Sequence, residues 1–219
     1  MTTRPVLVIG NKNYSSWSLR PWLLLRQHGV MFDEMRLPLD TPEFAGAIPR
    51  WSPSGRVPAL RHGELVVWDS LAICEYANEA FLAGAGWPVD IAARATARSA
   101  SAEMHSGFQA LRSALPMNCR RRVSGFAPDA AAKRDIERVC ALWRDCRGRF
   151  ATGHFLFGGF SIADAMYAPV ALRFITYGIA LDADARAYVD ALLALPALQE
   201  WLRDAGAEAE TLPATDSVA

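Results

Sequence analysis

Pro58 limits how this chain can fold more than any other residue. It stands in Arg56-Val57-Pro58-Ala59-Leu60, between apolar residues of strand type. A proline there has no N–H to give to a sheet. The strand must therefore lie at an edge, or the chain must bend, often through a cis peptide. Such a bend turns main-chain groups outward, where an extended peptide can pair with them. Nine residues after Leu60, Asp69-Ser70 opens a helix, and a helix start offers N–H groups to an anion. Asp69 can accept from a ligand ammonium, and Ser70, as N-cap, can hold a carboxylate. The two features flank one hairpin and outline a pocket for a small acidic peptide. Each alone has a plainer reading, an edge proline and an ordinary cap.

The chain has 219 residues and is 52% hydrophobic, enough for one large domain or two small ones around a substantial core. Lysine and arginine number 23, aspartate and glutamate also 23, so the formal net charge is zero. No broad field draws such a chain to nucleic acid or to an anionic membrane. The cluster Arg120-Arg121-Arg122 reads as a solvated loop or helix end. No apolar run approaches the ~20 residues of a membrane span. Val6–Ile9 is too short for a signal-peptide core. A cytoplasmic location is expected. Cys74, Cys119, Cys140 and Cys146 show no CxxC spacing, which fits free thiols in a reducing compartment.

Strand and helix signals alternate in the first third. Val6–Ile9 reads as a strand, Ser18–His28 as a helix and Met31–Leu37 as a second strand. A proline-bounded segment, Thr41–Ile48, follows. Ala59-Leu60 and Leu65–Trp68 form a hairpin across His62-Gly63, and Ser70–Leu82 is helical. The order βαβ, variable segment, ββα describes a small α/β domain with a mixed sheet, over residues 1–82. Residues 83–90, rich in glycine and alanine, read as a linker. Residues 91–219 read as all-helical, over Ala92–Leu115, Asp129–Phe150, Ser161–Tyr177, Ala183–Leu195 and Ala197–Ala205. The last dozen residues are expected to fray.

Between the first strand and helix lies Ser15-Ser16-Trp17-Ser18-Leu19-Arg20-Pro21. Proline is tolerated in a helix's first turn, so Pro21 places the N-cap near Ser18 or else demands a local bend. Ser15 and Ser16 then face the positive end of the helix. A hydroxyl there can donate to a bound thiolate and lower that thiol's pKa from its usual value of about 8.5. The plainer alternative is that the serines cap the helix. No His/Asp pair nearby equips either one for acyl transfer. Further on, Ser161 and Asp164 have the spacing of a capping box, which makes Asp164 a folding residue, and Pro169 predicts a kink.

With these residues in place, the chain resembles the cytosolic glutathione transferases over about residues 5–205. Ser15-Ser16-Trp17-Ser18-Leu19-Arg20 is similar to the SSCSxR signature of the zeta class, with Trp17 in place of its cysteine. Val57-Pro58 resembles the family's cis-proline turn. Asp69-Ser70 stands where the family has Glu-Ser or Gln-Ser, and Gly159–Asp164 resembles its capping motif in the C-terminal domain. The resemblance implies an α/β thioredoxin-like N-terminal domain with a mixed four-stranded sheet, and an all-α C-terminal domain. It implies that Ser15, with Ser16 as rival, activates the thiol of glutathione. Arg56, Val57, Pro58, Asp69 and Ser70 would bind glutathione, as a co-substrate with no separate cofactor. Trp17, Met104, His105, Phe108 and Arg112 are candidates for the wall facing a small hydrophobic electrophile, although Met104 and Phe108 have the spacing of core residues. His105 lacks partners at metal-ligand spacing, so no metal is expected. The resemblance also implies a homodimer. A glutathione-dependent isomerase or peroxidase, and a non-catalytic interaction protein, are the alternatives.

Overall fold

The computed structural model of the chain describes residues 4–150 and 152–218. Four strands, β1 (Val6–Ile9), β2 (Asp33–Arg36), β3 (Ala59–His62) and β4 (Leu65–Trp68), form one mixed sheet in the order β2-β1-β3-β4. β1 runs parallel to β2 and antiparallel to β3, and β3 pairs antiparallel with β4. The run Val6-Leu7-Val8-Ile9 is apolar throughout because both faces of β1 are covered. Leu7 and Ile9 enter the main core with α1 (Ser16–Gln27) and α3 (Ser70–Ala80). Val8 points the other way, into a small cluster with Leu37, Ile48 and Ala59, against which Phe44 of α2 (Pro42–Ala47) packs. The proline-bounded segment is thus a short helix and a 3-10 turn, Ile48–Arg50, closing the second face of the sheet.

Among the described residues, everything after the sheet is helical apart from two isolated bridges. The elements are α4 (Ile91–Ser106), α5 (Gln109–Ala114), α6 (Ala130–Phe150), α7 (Ile162–Thr176), α8 (Ala183–Leu193), α9 (Pro196–Ala207) and α10 (Pro213–Asp216). α7 is the central helix, with every residue but Ile175 buried. α1 packs against α7, so the main core runs unbroken from the sheet into the helices. Asp164 at the start of α7 accepts four hydrogen bonds, from Leu156 N–H (3.0 Å), Ser161 N–H (2.9 Å), Ser161 Oγ (2.8 Å) and Tyr188 Oη (3.1 Å). It ties the preceding loop and α8 to one helix start.

Three sequence expectations are corrected. The helix expected over Ala92–Leu115 is two helices. A Cβ on Gly107 would meet Glu103 O at 2.7 Å, and Phe108 takes the left-handed conformation (φ 54°), which ends α4 and restarts the chain as α5. Helix α1 begins at Ser16 with Ser15 as N-cap, so Pro21 lies inside it, where it leaves the Trp17 carbonyl without its helical partner.

Residues 208–218, expected to fray, are instead tied down by hydrogen bonds. The Glu208 carboxylate accepts the N–H groups of Lys12 (2.6 Å) and Asn13 (3.0 Å). Asp216 accepts from Tyr14 Oη (2.9 Å) and Asn118 Nδ2 (2.7 Å). Arg120 donates to the carbonyls of Glu208 and Glu210, and Arg121 to those of Asp216 and Val218. The basic cluster is a loop, as expected, with Arg120 and Arg122 exposed, but Arg120 and Arg121 also bind the tail over the loop that leads into Ser15. Glu208→Ala should strip two main-chain donors of their acceptor. We expect a loss of about 2 kcal/mol in unfolding free energy and faster amide exchange at Lys12 and Asn13. Unchanged exchange at both amides would show that the tail does not hold the loop.

Candidate functional site

The Val57–Pro58 peptide bond is cis. Among the described residues, neither the N–H nor the C=O of Val57 enters a main-chain hydrogen bond. Beside this bend opens a cleft of about 500 Å³ lined by Trp17, Ser54, Arg56, Val57, Pro58, Trp68, Asp69, Ser70 and Arg112. Its wall joins the start of α1, the loop before β3, the start of α3 and α5. A separate cavity of about 580 Å³ lies elsewhere, among Arg4, His28, Met31, His62 and Phe81, and shares no residue with the cleft.

Asp69, rather than Ser70, is the N-cap of α3. Its Oδ1 accepts from Leu71 N (2.9 Å) and Ala72 N (3.1 Å). The cap places Asp69 at φ 82°, a strained conformation for a residue with a Cβ, and one often kept at ligand sites. Its Oδ2 lies 3.1 Å from His105 Nε2. Burial lowers the pKa of His105; Asp69 raises it, and Arg20 and Arg112 lower it further. The ring is therefore neutral at pH 7, with Nε2–H donating to the carboxylate. Ser70 lines the cleft but is only 1% exposed, and its hydroxyl accepts from Arg20 Nη1 at 3.3 Å. Arg20 is buried, with its guanidinium 4.2 Å from the centre of the Trp17 ring.

The two serines are engaged differently. Ser15, the N-cap of α1, makes no side-chain cap; its hydroxyl donates to Ser18 Oγ at 2.7 Å, and Ser18 Oγ also accepts from Gly10 N–H (3.2 Å). Ser16 Oγ accepts from Arg173 Nη2 (3.0 Å), which arrives from α7, 157 residues along the chain. Both serines are buried, and neither forms part of the cleft wall. Arg56 is exposed at its lip.

Of the five candidates for the electrophile wall, Trp17 and Arg112 line the cleft. His105 stands behind, edge-on to Trp17 with ring centroids 5.3 Å apart. Met104 and Phe108 belong to the core, at 1% and 7% exposure, and are not among the lining residues, Met104 from within α4 and Phe108 from the turn that follows it. The sequence reading missed Trp68 and Ser54. Trp68 carried a signal: a large apolar residue at the end of a strand, directly before Asp69-Ser70. All four cysteines are free, and burial raises each thiol's pKa, that of Cys119 to about 12 and those of Cys140 and Cys146 to about 11. None is a ready nucleophile at neutral pH.

The arrangement offers an extended peptide an unpaired main-chain edge, a helix start and several guanidinium groups. Residues 14–80 match the family model of the glutathione S-transferase N-terminal domain, and residues 95–204 that of the C-terminal domain. The chain belongs to the glutathione S-transferase family. Glutathione S-transferase 1 of Dianthus caryophyllus is 31% identical over 147 residues, covering 65% of this chain and 62% of the carnation protein. Several solved glutathione transferases share the fold. A homologue from Burkholderia gl BGR1 with bound glutathione superposes with a TM-score of 0.73 at 22% identity, over 94% of this chain and 100% of that one. A glutathione S-transferase from the Antarctic clam Laternula elliptica gives 0.71 at 19% identity, over 99% of this chain and 100% of that one. The transferase fold of these structures has the same two parts, a thioredoxin-like sheet domain and a helical domain.

Proposed function

We propose that this chain is a glutathione transferase in which the Ser15 hydroxyl holds the glutathione thiol as thiolate for attack on a small electrophile. The observation that carries the reading is the unpaired main chain of Val57 at the cis bend, open to the cleft beside the start of α3. An extended cysteinyl residue can take both groups in antiparallel fashion. The γ-glutamyl carboxylate meets the α3 N-terminus at Ser70, where Arg20 stands behind the hydroxyl. The Asp69 carboxylate is shared between its cap and His105, so it acts on the ligand ammonium through its charge.

Ser15 is the thiol's partner because it stands at the N-cap of α1, where the helix end favours an anion, whereas Ser16 Oγ is held by Arg173. The Ser15 hydroxyl is bound only to Ser18 Oγ, and hydroxyl protons rotate. When Ser18 turns its own proton to Ser15 Oγ, the Ser15 proton is free to donate to sulfur. Donation to the charged form lowers the thiol pKa, and each unit is about 1.4 kcal/mol. Glutathione added up to millimolar levels should change the tryptophan fluorescence, since Trp17 and Trp68 both line the cleft. The protein should also be retained on immobilised glutathione. No fluorescence change and no retention would reject glutathione as the ligand.

A further inference from the structure

Three arginines from three elements converge beside the cleft: Arg20 of α1, Arg112 of α5 and Arg173 of α7. The Arg20 and Arg112 guanidinium carbons lie 4.2 and 5.0 Å from the centre of the Trp17 ring. Arg20 and Arg173 are 2% and 6% exposed, and the Nε of each is buried without a partner. Burial, then the nearby guanidinium groups, lowers the pKa of Arg20 to about 9 and that of Arg173 to about 10, so both stay charged at neutral pH. Asp69 is the carboxylate that offsets Arg20, and among the described residues none offsets Arg112 or Arg173. Buried positive charge left this unbalanced is costly unless an anion joins it.

Glutathione, on the reading above, meets part of this charge. Its γ-glutamyl end lies at Ser70 and Arg20, and Arg56 stands beside Val57. Arg112 is left over, on the helical part of the wall. Its Nη1 is fixed on the carbonyls of His105 (3.3 Å) and Gly107 (3.0 Å), which orients the group. Its Nη2 reaches Gln109 Oε1 at 3.3 Å, and its Nε has no partner among the described residues. Nε and the second Nη2 proton remain for a planar, two-oxygen acceptor.

We propose that Arg112 seats a carboxylate of the second substrate, so that the site takes an anionic electrophile rather than a purely apolar one. This rests on the transferase reading. The test uses a matched pair, 1-chloro-2,6-dinitrobenzene and 4-chloro-3,5-dinitrobenzoate, which differ by one carboxylate. In both, the glutathione thiolate forms the C–S bond, chloride leaves with the C–Cl electron pair, and the thiol proton passes to solvent. The readout is the ratio of kcat/KM for the benzoate to that for the neutral compound, in wild type, Arg112→Gln and Arg112→Lys. The wild type should favour the benzoate. The ratio should fall about tenfold or more in Arg112→Gln and recover in part in Arg112→Lys. KM for glutathione should move less than KM for the benzoate. A ratio unchanged in both variants, or an equal rise in the glutathione KM, overturns the subsite and leaves the transferase reading standing. Wild type that conjugates neither compound overturns both.

Discussion

Asp164→Ala should cost about 4 kcal/mol of unfolding free energy, several times the effect of an ordinary surface change. The carboxylate is fully buried and accepts four hydrogen bonds, two from main-chain N–H groups and two from hydroxyls. Burial pushes its pKa up and those donors pull it part of the way back, to about 6, so it is mainly ionised at neutral pH. Alanine leaves the Leu156 and Ser161 N–H groups buried with no acceptor, and the hydroxyl of Tyr188, itself fully buried, unpaired. The hydroxyls can rotate toward other acceptors, but the amides cannot. For a chain of this size the melting temperature should fall by about 10 °C. Asp164→Asn keeps the shape and one acceptor oxygen but turns an amide group toward existing donors, so it should lie between wild type and alanine. Thermal and urea unfolding of the two variants checks the order. A loss under about 1 kcal/mol in Asp164→Ala would mean that water takes over the freed donors.

Ser15→Ala should lower kcat/KM for glutathione conjugation at pH 7 by about 8- to 25-fold, the change in thiolate fraction for one or two units of thiol pKa below about 8.5. The pH profile is the decisive readout. In wild type the rate should reach its plateau below the pKa of free glutathione, and in Ser15→Ala the rise should move to higher pH. Ser16→Ala should register chiefly in stability. It removes the acceptor from Arg173 Nη2, inside a guanidinium whose Nη1 is held by the Arg112 and Leu115 carbonyls. A cost of about 1–2 kcal/mol is expected for that cation. The reverse pattern, with the pH profile moved by Ser16→Ala and not by Ser15→Ala, would assign the thiol to Ser16.

Much of the fold is local enough to read from the chain. The β1 run, the hairpin through Gly63, the Ser161/Asp164 spacing and the helical runs each rest on periodicity or on a turn residue. The errors came where a distant partner overrides local preference. Gly107 and Phe108 split a helix because the chain must turn there to bring α5 to the cleft. Pro21 is tolerated inside α1 because α1 is packed against α3, α7 and α9. Polar residues 208–218 looked free because their partners, Lys12, Asn13, Tyr14, Asn118, Arg120 and Arg121, lie about 90 to 200 positions earlier.

The candidate site divides in the same way. The sequence alone marked Pro58 as a sheet edge or a bend and Asp69-Ser70 as a helix start, because proline geometry and end-capping depend on a few neighbouring residues; the structure showed the bend to be cis. The sequence determined the family as well, since those local marks recur at fixed spacing. Only the tertiary structure decided which residues share the cleft and what each hydroxyl is bound to. Ser15 and Ser16 are adjacent in sequence, yet one faces Ser18 and the other an arginine from the far half of the chain. The convergence of Arg20, Arg112 and Arg173 likewise depends on how α1, α5 and α7 pack, because electrostatic neighbours are set by distance in space and not by order along the chain.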